Sequence, residues 1–147
     1  MDRSFNARYT HTNLVARDWK RLAAFYEHVF GCVPVPPERD ISGEWLSRVT
    51  GVPDAALCGV HLRLPGHGDS GPTLEIFQYS RVLDAPTPAA NRQGYGHVAF
   101  AVDDERGRGG VAYVLHRALV AARLGPIPEV AREVIIGQVD EVARAAH

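Results

Sequence analysis

The stretch Tyr9-Thr-His-Thr-Asn-Leu-Val-Ala-Arg-Asp18 and the helical pattern that follows it decide the fold. Residues 10–16 have the pattern of a strand, and Asp18 stands where a helix N-cap belongs. Six apolar residues then recur at helical spacing: Leu22, Ala23, Phe25, Tyr26, Val29 and Phe30. Gly31 stands where a C-terminal glycine ends a helix. We therefore predict a strand over 10–16 and a helix over 18–30.

The next segments predict three more strands and complete a βαβββ module over residues 9–79. Residues 32–35 predict a strand that ends at Pro36-Pro37, and the turn-rich 36–54 predicts a mobile loop or a short helix over a pocket. The alternating pattern of 58–64 and the run 73–79 flank a Pro- and Gly-rich turn. This arrangement is typical of a β-hairpin.

A repeat links the two halves of the chain. Tyr9–Asp18 aligns without gaps on Tyr95–Asp104, and Tyr, His and Asp recur at an offset of 86 residues (95 minus 9). The proline-containing segment 80–94 is then a connector, and a second module spans about 95–147 within one domain of 1–147. We predict an α+β fold of paired βαβββ modules whose curved mixed sheet encloses a cleft.

The second module is too short for a full copy of the first. Only 53 residues remain from 95 to 147, against 71 in 9–79. Residues 111–124 predict a helix that Gly125 ends, while 129–146 contain patterns of both strand and helix. We therefore predict that the second module is atypical or incomplete and ends in helix or irregular chain.

Composition excludes several classes of partner. The 16 basic and 17 acidic residues give a net charge of −1, which offers no electrostatic surface for nucleic acid or acidic membranes. The N-terminus lacks the apolar core of a signal peptide, and Cys32 and Cys58 have no metal-site spacing. These features predict a cytoplasmic protein whose partners are small molecules or a second copy of the chain, as a symmetric homodimer.

Three strands each carry one potential metal ligand on the face opposite their aliphatic side chains. Strand alternation puts His11, Glu75 and His97 on comparable faces. Two imidazoles and a carboxylate suit one divalent ion, whether Zn, Ni, Fe, Co or Mn, and leave positions open for a substrate. Each residue taken alone is more simply a polar side chain in a pocket, but the shared register favours a metal site.

The other histidines predict supporting or surface roles. His61 alternates with apolar neighbours and could point into the same concavity, where a solvated position or one behind the metal ligands is expected. His28, His67 and His116 are expected at the surface. No residue of the chain is assigned as a catalytic base, and no glycine pattern suits a nucleotide cofactor.

Several motifs together resemble the vicinal-oxygen-chelate superfamily, which contains glyoxalases, bleomycin-resistance proteins and extradiol dioxygenases. They are His11-Thr-Asn-Leu-Val-Ala-Arg-Asp18, Leu22-Ala-Ala-Phe-Tyr26, Val29-Phe-Gly31, Leu74-Glu-Ile-Phe77 and Gly94-Tyr-Gly-His-Val-Ala-Phe-Ala-Val102. The resemblance covers residues 9–104, about two thirds of the chain. It implies a paired-module fold, a cleft often completed by dimerisation, and metal ligands at His11, Glu75 and His97.

The resemblance implies two functions of different kinds. One is a metal-dependent lyase, isomerase or dioxygenase-like enzyme whose substrate chelates through adjacent oxygens. The other is a metal-free protein that binds a small molecule, as antibiotic-resistance members do, in a cleft that Trp45, Phe77 and Tyr79 could line. The family's fourth ligand lies in a segment like Asp-Pro-x-Gly-Asn-x-x-Glu-Leu, which this sequence lacks. We therefore expect at most three protein ligands and little turnover.

Overall fold

The computed structural model describes residues 6–84, 93, 97–103, 109–115 and 118–122. The chain divides into two compact units, Met1–Leu83 and Asp84–His147. The first unit contains six elements, and the second contains three strands over its described residues. They are β1 His11–Val15, α1 Trp19–Phe30, β2 Val33–Ser42, α2 Glu44–Thr50, β3 Ala56–Arg63, β4 Thr73–Tyr79, β5 His97–Asp103, β6 Gly109–Leu115 and β7 Ala118–Ala122.

The first unit is an open, mixed, four-stranded sheet in the order β1-β4-β3-β2. β1 pairs with β4 in parallel, whereas β4 with β3 and β3 with β2 are antiparallel. Because β1 lies beside β4, the first strand of the unit is brought next to the last. The predicted βαβββ order is confirmed here, with the short helix α2 inserted between β2 and β3.

Helix α1 begins and ends at the two capping residues that its sequence predicts. The Asp18 carboxylate accepts a hydrogen bond from the backbone N–H of Arg21 at 3.0 Å. Gly31 adopts the left-handed conformation with φ 67°, and its N–H donates to the carbonyl of Glu27. The backbone N–H of Trp19 donates to the side-chain oxygen of Gln78, which fastens the start of α1 to β4.

One face of the sheet packs against α1 and forms the main core. Its strand residues are Val60, Leu62, Leu74 and Ile76, and all are at most 4% exposed. Trp19, Ala23, Phe25 and Tyr26 are buried on α1. Strand alternation leaves the side chains between these positions on the other face of the sheet. That second face carries His11, His61 and Glu75.

Strand β2 corrects the prediction that the second strand ends at Pro36-Pro37. It continues to Ser42, with a break in register between Val35 and Arg39 that contains both prolines. Among the strands that the structure describes, β2 lies at the edge of its sheet and pairs with β3 alone. Proline lacks an N–H, so it is tolerated where a strand has a free edge or a bulge.

Helix α2 covers one end of the second face of the sheet. Leu46 of α2 forms a buried cluster with Ala55 and Leu57, against which Phe77 and Tyr79 pack. The prediction of a short helix within 36–54 is therefore confirmed. Trp45 lies outside this cluster, and half of its surface (52%) is exposed.

Cys32 is buried, and burial together with the nearby Glu27 carboxylate raises the pKa of its thiol from 9.0 to about 11. Because only the thiolate reacts, we expect Cys32 to resist a disulfide reagent at pH 8 until the protein unfolds, while the partly exposed Cys58 reacts in the folded protein. Labelling of Cys58→Ser, which retains Cys32, measures this directly, with and without denaturant. Rapid labelling of folded Cys58→Ser would contradict the expectation.

The second unit differs from the predicted helix-containing module over its described residues. β5, β6 and β7 form an antiparallel sheet in sequence order, so 109–115 and 118–122 are strands rather than the predicted helix of 111–124. Val111, Tyr113, Val114 and Val120 are residue types that favour strands, and their cross-strand pairing outweighs a helical spacing. Gly125 and the tail 129–147 lie outside the described residues.

Alternation along β5 agrees with the faces that its sequence predicts. Val98, Phe100 and Val102 are half-buried, whereas His97 and the residues that alternate with it are exposed.

Among the described helices, neither has the length and apolar character needed to cross a membrane.

Candidate metal centre

The sheet brings polar residues of three strands into one row on the face away from α1. Glu75 of β4 pairs directly with His61 of β3 on one side and with Asn13 of β1 on the other. Directly paired residues share a face, and the next row contains His11 opposite Thr73. The register therefore places two histidines and one glutamate at the end of the face that α2 leaves open.

Both oxygens of the Glu75 carboxylate face an imidazole. Oε2 lies 3.5 Å from Nε2 of His11, and Oε1 lies 3.2 Å from Nε2 of His61. The Glu75 side chain is only 15% exposed, while that of His11 is 44% exposed. A largely buried carboxylate thus lies beside a histidine that solvent reaches.

His61 is fixed more firmly than His11. Its Nδ1 lies 3.3 Å from the hydroxyl of Thr73, and its ring makes edge contacts with Phe77 and His11 at centroid distances of 5.8 and 6.2 Å. Burial lowers the pKa of His61 below its ordinary value of 6.5, and Arg39 and His11 act in the same direction against the opposing effect of Glu75. Burial therefore favours the neutral form of the ring.

His11 and Glu75 have a separation that suits two ligands of one ion. Ligand atoms at about 2.0–2.2 Å from a tetrahedral ion lie about 3.3–3.6 Å from each other. Nε2 of His11 and Oε2 of Glu75 are 3.5 Å apart. One imidazole and one carboxylate are also donors that Zn²⁺ and related divalent ions accept, so these two residues fit such an ion.

His61 does not complete this pair as a third ligand. Two imidazoles on one tetrahedral ion place their ring centroids about 5 Å apart, whereas those of His11 and His61 are 6.2 Å apart. Accordingly, among the side chains that the structure describes, no group of three or more His, Cys, Asp or Glu is arranged to hold a metal ion.

Of the three predicted ligands, the first unit thus brings His11 and Glu75 together. His97 lies in the second unit, on the exposed side of β5, and its place as a ligand stays a prediction.

The expected surface positions of His28 and His67 are confirmed, and His116 lies outside the described residues. Phe77 and Tyr79 pack against the α2 cluster, which is the core role that sequence left open for them.

The contact between His61 and Glu75 is the feature that the sequence prediction missed. Alternation alone placed His61 near the concavity but did not show its partner. The signal was available in the hairpin, because its two antiparallel strands pair symmetrically about the centre of the segment that joins them. A turn centred on Gly68 pairs position 61 with position 75.

Comparison with known proteins supports the fold. No family model and no curated protein matches the sequence. Among solved structures, the chain is similar to a glyoxalase family protein from Bacillus cereus, with a TM-score of 0.54 and 20% sequence identity. The match covers 65% of this chain and 62% of that protein, less than two thirds of its length. It confirms the predicted α+β class and a glyoxalase-like fold.

Proposed function

We propose that this chain is a metal-dependent enzyme of the glyoxalase, epimerase or dioxygenase type, acting on a small substrate that chelates through adjacent oxygens. One divalent ion would be held by His11, Glu75 and His97. The observation that carries the proposal is the 3.5 Å separation of His11 Nε2 and Glu75 Oε2 on the open face of the sheet. The glyoxalase-like fold supports it.

Glu75 and His11 would contribute to the binding of the ion in different ways. Glu75 supplies negative charge from a site that is only 15% exposed, where attraction for a cation is stronger than in water. His11 supplies an imidazole nitrogen on the solvent side, where a substrate can approach. The bound ion would supply Lewis acidity to the substrate oxygens. We place this enzyme in the cytoplasm as a homodimer, and its partner is a small molecule.

Metal binding by single variants tests the proposal. We expect His11→Ala, Glu75→Ala and His97→Ala each to weaken Zn²⁺ or Co²⁺ binding by at least about tenfold, because each removes a direct ligand. Affinity should also fall as the pH drops through about 6.5, where a free imidazole is protonated. Isothermal titration of protein stripped with a chelator and back-titrated with each ion gives these affinities.

His67→Ala is the matched control, because His67 is an exposed histidine in the β3–β4 turn. Its variant should bind metal like the unchanged protein. If the unchanged protein binds no ion above background, or if the three ligand variants bind as well as His67→Ala, the enzyme proposal is wrong. Saturable binding of a small aromatic ligand without metal would then favour the alternative, a metal-free binding protein.

A further inference from the structure

The His61 side chain links two residues of the neighbouring strand β4. Its Nε2 lies 3.2 Å from Oε1 of Glu75, and its Nδ1 lies 3.3 Å from the Thr73 hydroxyl. His61 pairs directly with Glu75 across the two strands. The imidazole therefore spans two successive positions on one face of β4, and both of its nitrogens have a partner.

The two partners together determine which nitrogen of His61 carries the proton. An ionised carboxylate only accepts hydrogen bonds, so Nε2 must be the donor toward Glu75. The Nδ1 of that neutral tautomer is an acceptor, and the Thr73 hydroxyl can donate to it. The Phe77 ring at 5.8 Å limits rotation of the imidazole. The hydrogen bonds run from Thr73 to His61 and from His61 to Glu75.

This network makes the two oxygens of Glu75 unequal. Oε1 lies 3.2 Å from Nε2 of His61, while Oε2 lies 3.5 Å from Nε2 of His11 and accepts a hydrogen bond of 3.5 Å from the Asn13 side-chain amide. The contacts of His61 with Oε1 and of Asn13 with Oε2 together orient the carboxylate, so an ion beside His11 meets Oε2 rather than Oε1. Groups that hold a metal-binding carboxylate in place typically change metal affinity by about 10–100-fold when removed.

We propose that His61 is a positioning residue, which binds Oε1 of Glu75 as a donor and so makes Glu75 a single-oxygen ligand through Oε2. The inference deepens the proposed function and rests on it where the ion is concerned. His61 itself touches neither ion nor substrate. Thr73 acts one step further away, by holding His61 in the tautomer that donates from Nε2.

Three variants separate positioning from simple packing. His61→Leu removes the donor, while His61→Gln keeps an N–H close to the place of Nε2. Thr73→Val removes the hydroxyl and preserves the shape of the side chain. We expect His61→Leu to weaken Co²⁺ binding by about 10–100-fold, His61→Gln to restore most of that loss, and Thr73→Val to lose less than about tenfold. His67→Leu is the matched control and should change nothing.

Two spectroscopic measurements accompany the affinities. In the Co²⁺ protein, His61→Leu frees Oε1 to join the ion, so the visible absorption should weaken as the coordination number rises, and His61→Gln should retain the original spectrum. In the metal-free protein at pH 8, ¹⁵N-resolved imidazole resonances should show His61 with its proton on Nε2, and Thr73→Val should reduce the population of that tautomer.

The outcomes distinguish this inference from the proposed function. Unchanged Co²⁺ affinity and spectrum in folded His61→Leu, or a proton on Nδ1 of His61 in the metal-free protein, would overturn the positioning role. If the unchanged protein binds no Co²⁺, the proposed function is wrong. In that case an Nε2-protonated His61, with a population that Thr73→Val reduces, would still support the contact of His61 with Glu75. Absence of that tautomer would refute the contact.

Discussion

Replacing Ile76 by alanine is expected to lower the free energy of unfolding by about 2–5 kcal/mol, the usual cost of truncating a fully buried isoleucine to alanine. Ile76 is 0% exposed and pairs with Val60 on the sheet face that packs against α1. The loss combines the transfer of methyl and methylene groups with the cavity that rigid neighbours leave behind. Urea denaturation followed by circular dichroism measures the change.

Val49→Ala is the control for Ile76→Ala, since Val49 is 77% exposed on α2. A surface substitution of this kind usually changes stability by less than about 0.5 kcal/mol. Equal losses for the two variants would mean that the face of the sheet toward α1 is not the core of the first unit. A loss confined to Ile76→Ala would support the packing described above.

Replacing Gly59 by alanine is expected to cost about 3 kcal/mol or more, at or beyond the upper end of the usual range for overpacking. A Cβ at this position would lie 2.1 Å from the backbone oxygen of Ile76 and 2.6 Å from Cδ1 of Phe77. The phenyl ring can rotate, but the backbone oxygen belongs to the β3–β4 pairing and has little freedom to move. Thermal and urea unfolding of Gly59→Ala measure the cost.

Gly31→Ala provides the comparison for backbone conformation without a clash, since Gly59 has φ 159° in addition to its close contacts. Gly31 has φ 67°, and a Cβ there would meet nothing within 4 Å. Its replacement should cost only the left-handed conformation, about 1–2 kcal/mol. If Gly59→Ala were no more harmful than Gly31→Ala, the close approach between β3 and β4 at Gly59 would be disproved.

Local signals explain why most of the first unit could be predicted from sequence. The Asp18 N-cap, the apolar spacing of α1 and Gly31 act within a few residues, so α1 follows directly from them. The hairpin of β3 and β4 follows from alternation and a turn rich in glycine and proline. β2 is longer than predicted because prolines are tolerated at the edge of a sheet. Which strand lies at the edge depends on the topology of the whole sheet, which local sequence does not show.

The other differences between the predicted and the observed structure depend on which strands pair and in which register. A change of one residue in the hairpin register would move every side chain of the strand to the other face, so the contact of His61 with Glu75 could not be assigned from alternation. Residues 111–124 suit a helix by spacing, yet strand pairing of β6 with β5 and β7 prevails. His11 and Glu75 could be predicted as neighbours because alternation along their two strands was enough to put both side chains on the same face of the sheet.

The prolines of β2 also determine how this sheet can meet other chains. Pro34 pairs with Leu62 inside the ladder, so the side on which its N–H is missing must be the outer one. Pro36 follows two positions later, and Pro37 lies in the same break in register. The first half of the outer edge of β2 is therefore poor in the donors that an added strand needs, which opposes edge-to-edge aggregation there. An added strand would therefore find fewer donors along residues 34–37 than along residues 39–42 of the same edge.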